Sequence, residues 1–215
     1  MGCGVARLVL SDRLNQHVGV RIISGIRRPW ESINYPALVR DFPPPPEYLE
    51  TSWLDPPDTI EREQLVRLQA RLMSASKVPF VSNRWEASGF DPRSVTSIED
   101  LQRAPTYSVD HLRESIEANP PLGDYQGVLP SQARREPMRL HMSGGTTGSP
   151  RPTLFTNWDR EVGGILMARS LYLAGIRPGD LVINAWSYST HYAAWAYDRA
   201  LYEWLNCVVI TAGTG

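Results

Sequence analysis

The chain has 215 residues, 42% of them hydrophobic and 21% charged, with a formal net charge of -1. That suits one globular domain or a little more, long enough to bury a sizeable core, and argues against a nucleic-acid surface or a polybasic membrane contact. No apolar run approaches the ~18 residues of a membrane-spanning helix, and the two separated cysteines, Cys3 and Cys207, give no metal-ligand spacing and fit a reducing, cytoplasmic setting.

Residues 1–47 read as an irregular extension with a proline-rich linker. Residues 5–10 are a strand or a helix end, and residues 18–23 a short strand. His17 is a surface residue, because no metal-ligand partner lies near it. No targeting segment is readable at the start. The run Pro43-Pro44-Pro45-Pro46 is extended and stiff, since each ring fixes φ and removes a donor.

Residues 48–130 form a helical segment. Asp58 caps a helix, with Glu61 in capping-box spacing and Leu65, Leu68 and Leu72 at helical intervals. A second helix runs over about 82–88 and stops at Gly89. Ser97 caps a third, with Ile98 and Leu101 turned inward. Ser108 caps a fourth, carrying Leu112 and Ile116. His111 on that helix is an ordinary exposed polar position. Residues 120–127 are a loop.

Residues 131–215 read as a partial α/β nucleotide-binding unit. Two short strands, 138–142 and 153–155, flank the sequence Ser143-Gly144-Gly145-Thr146-Thr147-Gly148-Ser149-Pro150-Arg151. Three glycines, four hydroxyls and a cation in nine residues make a loop whose backbone can approach an anion closely. Arg151 adds a permanent charge and a fork of donors. The spacing is not that of the common P-loop, which needs Gly-Lys-Ser/Thr opening a helix. His141 either touches a phosphate or carboxylate or is an edge-of-sheet histidine; the sequence leaves both open. Thr156 and Asp159 start a helix that runs to about Ala174 and ends at Gly175. Residues 177–180 are a turn, 181–183 a short buried strand, 190–205 a helix and 207–210 a strand, with Cys207 buried. Strand and helix alternating in this way predict an α/β fold with a mostly parallel sheet. Ligands in such sheets sit beyond the carboxyl ends of strands, where residues 185–191 and Gly213 fall.

The loop resembles the signature loop of the adenylate-forming superfamily. Arg139-Leu140-His141 before it, Phe155-Thr156 after it, Lys77-Val78-Pro79-Phe80, Gly89-Phe90-Asp91-Pro92 and Ser97-Ile98-Glu99-Asp100-Leu101 resemble the phenylacetate–CoA ligase branch. The resemblance covers roughly residue 48 to the end. Gly144 stands where a second Ser is usual, and Arg151 where Lys is common.

The resemblance implies an incomplete part of an adenylate-forming N-terminal domain. It also implies ATP, Mg2+ and coenzyme A as cofactors and a small carboxylic acid, aryl by preference, as substrate. Ser143, Gly144, Gly145, Thr146, Thr147, Gly148 and Arg151 would hold the nucleotide phosphates, with Thr146 toward the metal. Tyr188, Trp186 and His191 would face the acid, Tyr188 matching a family tyrosine best; the aromatic pattern running on through Trp195, Tyr202 and Trp204 is equally that of a core. No catalytic residue is assigned. The adenine segment, the glutamate-bearing motif, the ribose aspartate and the catalytic-lysine domain of the family are not among these residues. The expectation is that the chain is inactive alone and depends on a downstream chain or C-terminal domain. Three other readings remain: a non-catalytic nucleotide-binding or interaction module, a loader of a carrier protein, and a degenerate fragment with exposed apolar surface.

Overall fold

A computed structural model describes residues 31–128, 137–143 and 150–213. The strand or helix end expected at 5–10, the strand expected at 18–23, and His17 lie outside the described residues.

Helix α1 (Tyr35–Asp41) begins where the Asn34 side chain accepts the Ala37 N–H (3.1 Å). It departs from the irregular extension expected over residues 1–47. Its Leu38, with Ile33, packs on Ile165, and Phe42 and Trp158 close that cluster edge to face. A short α2 (Glu47–Glu50) precedes α3 (Pro57–Ala75). Asp58 does not cap α3: Pro56 is the N-cap and makes no side-chain cap bond. Pro57 occupies the first helical position, where a missing N–H is no loss. Asp58 sits one residue inside, its charge facing the positive end of the helix dipole.

Helix α4 (Pro79–Ser88) starts three residues earlier than the sequence predicts, again on a proline, and ends at Gly89 with φ of 70°. That left-handed turn suits glycine. It lets Phe90 N–H return to Trp85 O (2.9 Å) while the two rings meet at 5.3 Å. Leu72, Trp85 and Val95 form the core between these helices.

The predicted third helix is a short 3-10 turn (Glu99–Arg103), and Leu101 is exposed. The Asp100 carboxylate accepts the Thr96 and Ser97 N–H groups (2.8 and 2.9 Å), and the first of these bonds does most to hold its pKa below the usual range. Ser108 caps α5 (Val109–Ala118), and His111 completes the capping box by accepting the Ser108 N–H on Nδ1 (2.9 Å). His111 therefore does the work that Glu or Gln usually does at that place.

Strands β1 (Met138–Met142) and β2 (Pro152–Thr156) form an antiparallel pair, with Arg139 opposite Phe155 and His141 opposite Thr153. Helix α6 (Asn157–Leu173) follows at once, with Thr156 and Asp159 in a capping box. It stops at Gly175, whose φ is 105°. Strand β3 (Leu181–Asn184), α7 (Tyr192–Arg199) and β4 (Val208–Thr211) form a parallel crossover unit, and α7 runs on as a π-helical turn, Ala200–Trp204. The helix begins two residues later than expected because His191 is its N-cap.

The fold is α/β, but among the described residues the strands make two separate two-stranded sheets, one antiparallel and one parallel. Strand β3 is also not buried on both faces. Val182 and Val209 face the core of Ala168, Ala200, Leu201, Leu205 and Cys207, whereas Leu181 and Ile183 are 67% and 63% exposed. The register sets them beside Val208 and Ile210, also exposed, so one sheet face is open and apolar.

A buried ion pair fastens α1, α6 and α7. Glu161, 3% exposed, accepts from Arg199 (through Nη2, and through Nε at 3.1 Å), from Trp204 Nε1 (3.1 Å) and from Tyr35 Oη (3.3 Å).

Candidate functional site

Ser143 and Arg151, the two ends of the glycine-rich stretch, lie where β1 ends and just before β2 begins. Ser143 N–H donates to Arg151 O and Arg151 N–H to Ser143 Oγ, both at 3.0 Å. This clasp fixes the two ends of the loop at the carboxyl terminus of β1. Gly144, Gly145, Thr146, Thr147 and Gly148, and with Thr146 the expected metal contact, lie outside the described residues.

The downstream arm is held on its other edge by side chains. Pro152 O accepts from Tyr125 Oη (2.5 Å) and Gln126 Nε2 (2.9 Å), and Leu154 N–H donates to Gln126 Oε1 (3.1 Å). Buried Gln126 thus pairs with β2 as a one-residue strand, and its Nε2 also reaches Leu122 O (3.0 Å). Burial pushes the Tyr125 phenol above its ordinary pKa, opposed by the charge of Arg151.

From the clasp the geometry leads directly to residues 185–191. Thr190 O accepts Met142 N–H (2.9 Å) and lies 3.1 Å from His141 Nδ1. A carbonyl only accepts, so Nδ1 carries the hydrogen. His141 is 3% exposed, with Phe155 and Tyr192 against it at 5.1 and 5.0 Å and those two rings stacked at 4.4 Å. Burial lowers its pKa; Thr190 O opposes the shift, and the charges of Arg139, Arg160 and His191 add to it. Its Nε2, Tyr192 Oη and Arg139 Nη1 are buried without a hydrogen-bond partner among the described residues. The Arg139 guanidinium lies over the Trp195 ring at 4.2 Å. Gly163 of α6 leaves room for this packing, because a Cβ there would fall 2.0 Å from Tyr192 Oη.

The three residues expected to face an acid have different surroundings. Trp186 is 49% exposed and stacks on Tyr197 at 5.9 Å. It borders an apolar cavity of about 420 Å3 with Leu171, Ile176, Val182, Asn184 and Leu201. Tyr188 and His191 do not line that cavity. The Tyr188 hydroxyl donates to Asp198 (3.1 Å) and accepts from Asn184 Nδ2 (2.8 Å). Burial first, then the Asp198 carboxylate, pushes its pKa up to about 12, so it stays protonated. His191 Nδ1 accepts Ala193 N–H (3.2 Å) as the cap of α7. Buried Asn184 also donates to Ala194 O (3.2 Å) and accepts Trp186 N–H (3.2 Å), which sets the path of the chain as it leaves β3. A larger hollow of about 650 Å3, bordered by Arg71, Val78, Tyr125 and Leu154, lies on the far side of β2.

Sequence reasoning missed Thr190, Asn184, Tyr125 and Gln126. An amide closing an apolar strand just before an aromatic was a usable signal for Asn184. Nothing marks Gln126, because its partner is backbone 26 to 28 residues away. Among the described residues no group of three or more His, Cys, Asp or Glu side chains could hold a metal, and no helix is long and apolar enough to cross a membrane.

The chain superposes on 2-hydroxyisobutyryl-CoA ligase in complex with 2-HIB-AMP and CoA, in an open conformation, with a TM-score of 0.64 and 34% identity, covering 74% of this chain and 36% of that one. The same ligase in its thioesterification state gives 0.65 and 35% identity, covering 74% of this chain and 33% of that one. In sequence, the chain is 35% identical over 137 residues to a phenylacetate-coenzyme A ligase of Thermus thermophilus, covering 61% of this chain and 29% of the relative. It is 33% identical over 166 residues to that of Pseudomonas putida, covering 74% of this chain and 34% of the relative. No family model matches. The chain therefore resembles the N-terminal portion of the phenylacetate–CoA ligase branch of adenylate-forming enzymes. It spans about a third of the length of these relatives.

Proposed function

We propose that this chain supplies the phosphate-holding and acid-facing part of an ATP-dependent, AMP-forming carboxylate–CoA ligase acting in the cytoplasm on an aryl acid such as phenylacetate. In the first half-reaction a carboxylate oxygen bonds to the α-phosphorus of ATP and the bond to pyrophosphate breaks. In the second, the thiol of coenzyme A attacks the acyl carbon and AMP leaves. The first half brings two anions together, so it needs charge neutralisation and alignment more than a covalent group on the protein.

The loop from Ser143 to Arg151 answers that need. Its backbone N–H groups and the hydroxyls of Ser143, Thr146 and Thr147 would hold phosphate oxygens, and Arg151 would offset their charge. Mg2+ would arrive with the nucleotide, held mainly through phosphate oxygens. Trp186 would form an apolar wall for the aryl group. Tyr188 and His191 support it from behind, through Asp198 and the start of α7. Residues outside this chain, in a downstream domain or partner, would complete the reaction.

The observation that carries this reading is the Ser143–Arg151 clasp, joined through Thr190 to the segment bearing Trp186. Calorimetric titration of the chain with MgATP tests it. Binding should weaken at least about tenfold in Arg151→Ala, since a charged hydrogen bond contributes ~1.5–3 kcal/mol. Equal affinity in both proteins would refute it.

A further inference from the structure

We propose that His141 is a positioning residue: its Nδ1–H and the neighbouring Met142 N–H together clamp one carbonyl, Thr190 O, and so lock residues 185–191 to the root of the glycine-rich loop. This rests on the proposed function, in which those two segments hold the acid and the nucleotide.

Several observations converge. The two donors come from consecutive residues of β1, yet both reach the same oxygen, at 2.9 and 3.1 Å. Consecutive strand residues project their side chains to opposite faces. A backbone N–H and an adjacent side chain meet at one acceptor here because the 185–191 segment crosses the end of β1. The clamp stands one residue before Ser143, whose N–H and Oγ close the loop. On the other side it stands one residue before His191, the cap of α7. A shift of Thr190 therefore moves both the start of α7 and the chain running back to Trp186.

Among the described residues the ring has no other polar tie. Its Nε2 is buried without a hydrogen-bond partner among the described residues, and Phe155 and Tyr192 pack against it. His141 thus acts on the 185–191 segment through Thr190. A carbonyl with two donors is better held than one with a single donor, because both lone pairs are used. The two segments are then fixed relative to each other before any ligand arrives, the condition for aligning two reactants.

The test separates the bond from the packing. His141→Phe keeps a ring between Phe155 and Tyr192 but cannot donate to Thr190 O. His141→Asn loses the ring but places an amide N–H where Nδ1–H stood. Exchange of the Met142 amide and of residues 185–193 is followed by NMR in the full chain. His141→Phe should exchange about tenfold faster than wild type, the worth of one net hydrogen bond, and His141→Asn should stay close to wild type. Wild-type exchange in His141→Phe overturns the proposal, since the packed ring alone would then suffice, and fast exchange in both variants overturns it too, since restoring the donor would not restore the lock. If a variant does not fold, the wild-type imidazole nitrogen shifts decide. A neutral ring protonated on Nδ1 supports the clamp, and one protonated on Nε2 alone overturns it. Titrating the wild type with MgATP in the same samples separates the two claims, because absent binding would defeat the ligase reading and leave the clamp standing.

Discussion

Replacing Glu161 should be the most damaging single change among the helices that carry the site. Glu161 is 3% exposed and accepts from three side chains, Arg199, Trp204 and Tyr35. Glu161→Ala leaves all three donors without that acceptor. Breaking a buried ion pair by removing one partner costs about 3–5 kcal/mol. Arg199 keeps a second carboxylate, Glu203, at 3.0 Å, so the low end applies, about 3 kcal/mol. For a chain of this size each kcal/mol moves Tm by roughly 2–4 °C, so the melting midpoint should fall by roughly 6–12 °C. Circular dichroism during heating measures it, with urea unfolding as the second probe. The double replacement Glu161→Leu with Arg199→Met should recover part of the loss, because two apolar groups leave no orphaned charge. A Glu161→Ala midpoint within 1 °C of wild type would refute the reasoning, and so would a double variant weaker than the single one.

Two further outcomes follow from the site. Gln126→Leu should release the outer edge of β2 and destabilise the chain by about 1–3 kcal/mol, the cost of leaving buried backbone groups unpaired; faster exchange of the Leu154 amide checks it. The second concerns pH. His141 has a folded pKa below its ordinary value of about 6.5. Its neutral form therefore stabilises the fold above about 6.5, and that contribution is lost as pH falls through the folded pKa. The positive groups facing it are Arg139 on β1, Arg160 on α6 and His191 at the start of α7, and Tyr192 packs on the ring. Urea midpoints should drop more between pH 7.5 and pH 5 in wild type than in His141→Asn, and equal drops would contradict this.

Much of the fold was legible because its signals are local. Thr156 with Asp159, Gly89, Gly175 and the turn at 177–180 each act within a few residues, and each ends or starts an element as read. The two short strands flanking the glycine-rich stretch were legible for the same reason. Errors arose where a local pattern had two solutions. Asp58 and Glu61 have capping-box spacing, but the preceding Pro56 and Pro57 set the helix start instead. Residues 181–183 read as buried from their composition, yet one face of β3 packs on α6 and α7 and the other stays open. What joins the site was not legible at all. Thr190 lies 48 residues from Met142 and 49 from His141 in sequence, and no composition or spacing rule pairs them. Tyr188 shows the same limit from the other direction. Its type suggested a ligand wall, and nothing in that reading foretold the bonds of its hydroxyl to Asn184 and Asp198.

The most direct measurement is the response of the Ser143 and Arg151 backbone amides to MgATP, read by NMR in the full chain. The account predicts saturable shifts at both, reproduced by inorganic triphosphate with Mg2+, because phosphate oxygens are what the loop is proposed to hold. Amides that stay in place while MgATP shifts resonances elsewhere, or nowhere, would contradict it.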